Sequence, residues 1–146
     1  MCSWVYYNRA KSVWLSGVPF IGGMTVSGLP IWVARTWHED YLLPGCAVDG
    51  TGYFAFEGQV IKKNDFYVFF ADNANYDFLI NRNLLPTDNC VVAGQTPRNE
   101  RLYVGKILEP NCQAIGWMHN GVCSAVLPGE VVHCSAQYSL LQKTYW

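Results

Sequence analysis

A compact group of titratable side chains, His38, Glu39 and Asp40, lies between Trp37 and Tyr41. Carboxylates accept hydrogen bonds from sugar hydroxyls, and aromatic rings cover the apolar face of a sugar ring. This combination is typical of a carbohydrate site. The competing interpretation is a solvated loop, which is the usual role of such an isolated cluster.

Arg35 precedes this group on a segment where Ile31 and Val33 alternate with Trp32 and Ala34. The alternation predicts a β-strand, with Arg35 on the same face as Ile31 and Val33. Either its guanidinium binds loop carbonyls or a carboxylate at the core edge, or it stands at the mouth of a ligand groove. We expect the strand to leave the core at Arg35 and the chain to reverse at Pro44-Gly45.

Potential metal ligands occur between residues 112 and 134, namely Cys112, His119, Cys123, His133 and Cys134. They lack the paired Cys-x-x-Cys spacing of structural zinc sites, and adjacent residues of a strand point to opposite faces. We therefore expect neither a metal nor another cofactor. A disulfide between Cys112 and Cys123 is the alternative in an oxidising compartment, although reduced thiols are favoured.

Catalytic signatures are absent from the sequence. No Gly-x-Ser-x-Gly elbow is present, and the segment around Gly22 lacks the lysine and helix of a phosphate-binding loop. A Cys–His dyad stays open, since spatial neighbours are unknown from sequence. We expect a protein that is not an enzyme.

The amino-acid composition argues against some classes of protein. The 146 residues include six Trp, nine Tyr and seven Phe, and the formal net charge is −1. This balance argues against nucleic-acid binding, which normally requires a basic surface. No segment is long and apolar enough to predict a membrane span, and the N-terminus does not resemble a secretory signal. These features predict a cytoplasmic protein, with unconventional secretion as the other route.

The sequence repeats itself at an offset of 71 residues, with identical residues at eight pairs of positions between 23 and 138. Half of these pairs are glycines: Gly23/Gly94, Gly45/Gly116, Gly50/Gly121 and Gly58/Gly129. Between them lie short runs rich in aromatic and β-branched residues, which predict strands. We expect an all-β protein of two tandem antiparallel repeats, residues 1–72 and 73–146, that share one core.

The order of these motifs resembles the DM-nine repeat family. Each copy has a Gly-rich turn (IGGMT, VAGQT), a strand ending in a basic residue (PIWVAR, RLYVGK) and a turn related to LLPG. The resemblance implies pseudo-twofold related halves, and sugar binding because some members bind mannose. It places binding groups at the Gly-rich turn and after the Pro-Gly turn. Those positions hold Thr25 and Cys46, or Thr96 and Trp117, instead of the family's charged residues.

The ligand site is accordingly predicted at strand-end loops. Its residues are Thr25, Arg35, His38, Glu39, Asp40 and Cys46, with a weaker twin at Thr96, Lys106, Glu109 and Trp117. The expected function is carbohydrate binding, of mannose type or altered specificity, in innate recognition of glycans. The alternative is a protein-interaction or structural module that has lost sugar binding. The aromatic content and the terminal Tyr145-Trp146 predict a homodimer.

Overall fold

A computed structural model describes residues 2–11, 17–81, 86–109, 113–126 and 131–144. Within these ranges the chain forms fourteen β-strands in one sheet, together with a short 3-10 helix, Arg9–Lys11. The strands are β1 Ser3–Asn8, β2 Ile21–Met24, β3 Pro30–His38, β4 Tyr41–Val48, β5 Thr51–Phe56, β6 Gln59–Lys63, β7 Asp65–Phe70, β8 Tyr76–Leu79, β9 Val92–Gln95, β10 Arg101–Ile107, β11 Ile115–His119, β12 Val122–Val126, β13 Val132–Ser135 and β14 Tyr138–Lys143. The prediction of an all-β fold is confirmed.

Every pairing among the described strands is antiparallel. The longest path through the sheet runs β1-β7-β3-β4-β9-β10-β11-β12-β13, and the remaining strands pair beside it. The β4–β9 pair joins the two halves of the chain, with Leu42 opposite Gln95. None of the described residues belongs to a helix long and apolar enough to span a membrane.

The prediction that the chain reverses at Pro44-Gly45 is wrong. Both residues lie within β4, where Pro44 pairs with Arg35 and Gly45 with Ala34. The reversal occurs instead at Glu39-Asp40, whose φ angles of 46° and 66° give the left-handed turn that matches the twist of a hairpin. Gly45 is needed because a Cβ there would meet the backbone carbonyl of Tyr53. Strand β3 therefore continues past Arg35 to His38.

The two halves have the same strand register over their first hairpins. Gly23 pairs with Ile31 as Gly94 pairs with Leu102, and a β-bulge follows in both ladders. Likewise Ala34 pairs with Gly45, and Gly105 pairs with Gly116. All of these pairs are related by the offset of 71. Gly129 lies outside the described residues, and the pseudo-twofold relation and the boundary at residue 72 stay predictions.

Beyond the β12–β13 connection the offset becomes 72, so the constant offset of 71 expected from the sequence is wrong there. Arg35 pairs with Tyr67, whereas Lys106 pairs with Ser139 and not with Tyr138. By strand register, the connection between β12 and β13 is therefore one residue longer than the connection between β5 and β6. Tyr138 instead pairs with Ile107, on the neighbouring rung of the ladder.

The core draws on both halves. One cluster combines Ile31, Val33 and Phe69 with Val104 and Ile115, so neither half packs alone. A second cluster lies mainly under the first half and a third under the second half. Because side chains alternate along a strand, β3 contributes Ile31 and Val33 to the shared cluster and its opposite face to the second.

Candidate functional site

The turn between β9 and β10 is built around Thr96. Its hydroxyl accepts hydrogen bonds from the backbone amides of Arg98 and Glu100, both at 3.2 Å. Its own amide donates to the carbonyl of Glu100 at 2.9 Å, and Asn99 adopts a φ of 63° to close the turn. Thr96 is buried. This predicted site residue therefore holds the loop and presents the side chains that follow it.

A surface cleft of about 370 Å³ opens beside this turn. Its lining residues are Tyr41, Thr96, Pro97, Arg98, Glu100, Trp117 and His119, here called the Trp117 cleft. Tyr41 comes from the first half and reaches the cleft because β4 pairs with β9. Trp117 and His119 lie on one face of β11, since they are two residues apart in a strand.

Glu100 is the central polar group of the Trp117 cleft. The Thr96 hydroxyl lies 3.5 Å from its Oε1, and Nε2 of His119 lies 3.4 Å from its Oε2. The side chain of Glu100 stays 50% exposed, so lone pairs of its carboxylate remain open to solvent. The group is thus an oriented hydrogen-bond acceptor that a ligand can reach.

Two aromatic side chains line the cleft together with this carboxylate, and both are fixed by packing. Trp117 donates its indole N–H to the carbonyl of Ala55 at 2.8 Å, which ties β11 to β5 of the first half. Tyr41 packs edge-on against Phe56, with ring centroids 5.1 Å apart. Each ring is half-buried, so one part of it contacts the core and another faces the cleft.

The matching positions of the first half carry different chemical groups. Thr25 forms the same turn, accepting a hydrogen bond from the amide of Leu29 at 2.9 Å. At the offset of 71, however, Leu29 stands for Glu100, Cys46 for Trp117 and Val48 for His119. Apolar and thiol groups replace the carboxylate, indole and imidazole, so this half lacks the polar contacts that orient a sugar.

Cys46 does not reach a ligand surface, contrary to the prediction. Its side chain is completely buried, and the thiol donates to the carbonyl of Val126 at 3.7 Å. Burial raises the pKa of the Cys46 thiol to about 12. The physical reason lies in its position in the middle of β4, opposite Val33, where the shared core covers it.

Arg35 and Lys106 bind backbone carbonyls across the two halves. Arg35 donates to the carbonyl of Ala93 at 3.2 Å and stacks over Trp4 at 4.3 Å. Lys106 donates to the carbonyl of Gly22 at 2.8 Å. Burial lowers the pKa of Arg35 despite an opposing contribution from Tyr67. Of the two interpretations open from sequence, these contacts favour the structural one, in which each cation joins its own half to the other.

His38, Glu39 and Asp40 form the tip of the β3–β4 hairpin. His38 packs edge-on against Phe56, and its Nε2 lies 3.8 Å from Oε2 of Glu39. Thr25 lies before the start of β3, so the length of this strand places it roughly 30 Å from Asp40. The six first-half residues therefore do not form a single site.

The four predicted site residues of the second half do not form a single site either. Thr96 and Trp117 meet in the Trp117 cleft, whereas Lys106 lines a different depression, and Glu109 is exposed beyond the end of β10. Sequence reasoning missed Arg98 and Glu100. A usable signal existed, because these charged loop residues replace Ser27 and Leu29 of the first copy.

Among the described residues, no three His, Cys, Asp or Glu side chains come together as metal ligands. Cys112, one member of the zinc alternative and of the disulfide alternative, lies outside the described residues. Among the described cysteines, Cys2 and Cys134 are exposed free thiols, and Cys46 and Cys90 are buried ones.

The fold and the cleft together define an antiparallel β protein of two similar halves, with a polar and aromatic cleft built mainly from the second half. The chain belongs to the DM9 repeat family, whose model matches residues 25–132. This membership confirms the resemblance seen in the sequence. Comparison with curated proteins gives no match.

Proposed function

We propose that this protein binds carbohydrate without catalysing a reaction, and that the sugar occupies the Trp117 cleft. The observation that carries the proposal is the oriented Glu100 carboxylate, which lines the same cleft as the rings of Trp117 and Tyr41. A carboxylate accepts hydroxyl hydrogen bonds, while an aromatic ring covers the C–H face of a sugar. Membership in the DM9 repeat family, which is associated with carbohydrate binding, supports the same function. Innate recognition of glycans is the biological role that we assign.

A mannose-type ligand is one candidate, with altered specificity as the other, because the charged contacts expected from the family resemblance are replaced at Thr25 and Cys46. The cleft supplies a different set: the acceptor Glu100 and the donor Arg98. Among the described residues, the Arg98 guanidinium has no hydrogen-bond or ion-pair partner, so it is available to a ligand. The ligand is therefore expected to bind through hydroxyls on both sides of one ring.

A glycan array tests the proposal with wild-type protein and Tyr41→Ala. The array carries mono-, di- and trisaccharides of mannose, glucose, galactose and N-acetylglucosamine. We expect wild type to bind one sugar series and Tyr41→Ala to lose most of that signal. Tyr67→Ala, which removes a Tyr of another surface, serves as the control. Absence of binding to every sugar contradicts the proposal.

A protein-interaction module is the second candidate, favoured by the apolar tip of the β2–β3 hairpin. Met24 is 50% exposed, Leu29 41%, and Val26 projects fully into solvent. Exposed apolar groups of this kind are typical of contact surfaces. A chain that binds no glycan but loses a protein partner on Val26→Asp supports this candidate over the first.

We also propose that the protein forms a homodimer. Trp37 at 52% exposure and Tyr6 at 42% add apolar surface that association would bury. Tyr145 and Trp146, on which the sequence-based prediction rested, lie outside the described residues. Light scattering at micromolar concentration tests the proposal: twice the chain mass of 16.5 kDa is expected, and a mass of 16.5 kDa contradicts it.

A further inference from the structure

A second cleft adjoins the first. It measures about 590 Å³ and is lined by Pro86, Glu100, Arg101, Tyr103, Met118, His119, Asn120 and Gly121, here called the Tyr103 cleft. Glu100 and His119 line both clefts. The pair therefore forms a rim with a cleft on either side, and a ligand that contacts Glu100 in one cleft lies next to the other.

The two clefts occupy opposite faces of the β10–β11 pair. Tyr103 pairs with Met118, and the neighbouring rung pairs Val104 with Trp117. Since successive residues of a strand point to opposite faces, Tyr103 and Trp117 lie on different sides of the sheet. The clefts meet at the end of the sheet, beside the Asn120-Gly121 turn.

The Tyr103 cleft has the same chemical composition as its neighbour. Tyr103 provides a half-buried ring, and Glu100 provides the carboxylate. Arg101 and Asn120 provide donors whose side chains make no hydrogen bond or ion pair within the described part of the chain. A guanidinium, an amide, a carboxylate and a ring are the groups that bind a polyhydroxylated ring.

At the matching turn of the first half, described residues fill the space where this cleft opens. Gly50, the counterpart of Gly121, is covered: a Cβ on it would meet the hydroxyl of Tyr7 and the side chain of Arg9. Within the described part of the chain, no atom lies within 4 Å of the same position on Gly121. The open turn is therefore a feature of the second half, where the Trp117 cleft also lies.

We infer that the two clefts are adjacent subsites for one oligosaccharide of at least two sugar residues, which bends over the Glu100–His119 rim. The inference rests on the proposed function and adds the ligand's length. One residue binds between Trp117 and Tyr41, and the next binds against Tyr103 with Arg101 and Asn120 as donors. Glu100 accepts hydroxyl hydrogen bonds from both.

Titration calorimetry with the mono-, di- and trisaccharide of the series selected by the array tests the inference. We expect the disaccharide to bind at least about tenfold more tightly than the monosaccharide, equivalent to about 1.4 kcal/mol. Arg101→Ala and Asn120→Gly should remove this gain and leave monosaccharide affinity unchanged. Asn120→Gly keeps the left-handed turn, in which Asn120 has a φ of 51°.

Asp49→Gly, at the matching turn of the first half, is the control and should keep the full gain. Equal affinity for the mono- and disaccharide overturns the inference alone, as does a gain that survives both Arg101→Ala and Asn120→Gly. A chain that binds none of the sugars on the array overturns the proposed function and the inference with it. Circular dichroism of each variant verifies that the sheet is intact.

Discussion

Replacing Cys46 by lysine should unfold the protein. The resemblance to the family suggests a different result, namely that Thr25→Asp with Cys46→Lys restores a charged sugar contact. The structure places the Cys46 side chain in the core with no exposed surface. A lysine there puts an ammonium among Val33, Val104 and Ile115.

The magnitude follows from two costs. An unpaired buried charge destabilises a protein by about 3–5 kcal/mol. Extra side-chain volume in a packed core adds about 1–3 kcal/mol. The sum is comparable to the whole stability of a typical domain, about 5–15 kcal/mol. Cys46→Val, which keeps the site apolar at similar volume, should cost less than about 1.5 kcal/mol.

Urea unfolding followed by tryptophan fluorescence measures both variants. We expect Cys46→Lys to be unfolded or to have a midpoint far below that of wild type, while Cys46→Val remains close to it. A folded Cys46→Lys protein within about 1 kcal/mol of wild type refutes the reasoning. A folded Thr25→Asp, Cys46→Lys protein that gains mannose affinity would also refute the burial of this strand.

Three further predictions concern stability. Burial raises the pKa of Cys46 to about 12 from 9.0, so the protonated thiol stabilises the fold fully below pH 9 and this contribution is lost as pH rises toward 12. Between pH 8 and 10.5, the free energy of unfolding of wild type should therefore fall by about 2 kcal/mol more than that of Cys46→Val in urea titrations. Equal losses in the two proteins contradict this prediction. Gly116→Ala should destabilise the fold by about 2 kcal/mol or more because its Cβ would meet the backbone carbonyl of Ser124. The control Gly58→Asn, in an open left-handed turn, should cost under about 1 kcal/mol. Similar thermal midpoints of the two variants would disprove the close approach at Gly116. Arg35→Met should cost about 1–3 kcal/mol by leaving the carbonyl of Ala93 without its donor, and an unchanged unfolding midpoint in urea would show that this contact does not join the halves.

Much of the fold was predictable because it depends on local sequence. Alternating apolar residues predict β3, and the glycines shared between copies mark close backbone approaches such as that of Gly45 to Tyr53. The repeat predicts equal strand register, which the ladders show up to the β12–β13 connection. The Pro44-Gly45 turn was mispredicted because composition alone does not distinguish a glycine required for packing from one required for a turn.

The candidate site was less predictable because it depends on contacts between the halves. Tyr41 lies near Thr96 because β4 pairs with β9, and hydrophobic periodicity does not predict which strands of the two halves pair. The burial of Cys46 likewise depends on Val104 and Ile115 of the other half. The difference between Leu29 and Glu100 is visible in the sequence. This difference favours the second copy as the location of the polar site.

Calorimetry of Glu100→Gln with the sugar selected by the array tests whether the Glu100 carboxylate binds the ligand. The substitution keeps the shape of the side chain but removes the charge that strengthens hydrogen bonds from hydroxyls. We expect one binding event per wild-type chain and at least a tenfold weaker affinity in Glu100→Gln (about 1.4 kcal/mol). Glu39→Gln, at the hairpin tip outside the cleft, should bind as wild type does. Unchanged affinity in Glu100→Gln, or a loss confined to Glu39→Gln, would place the sugar elsewhere and contradict binding in the Trp117 cleft.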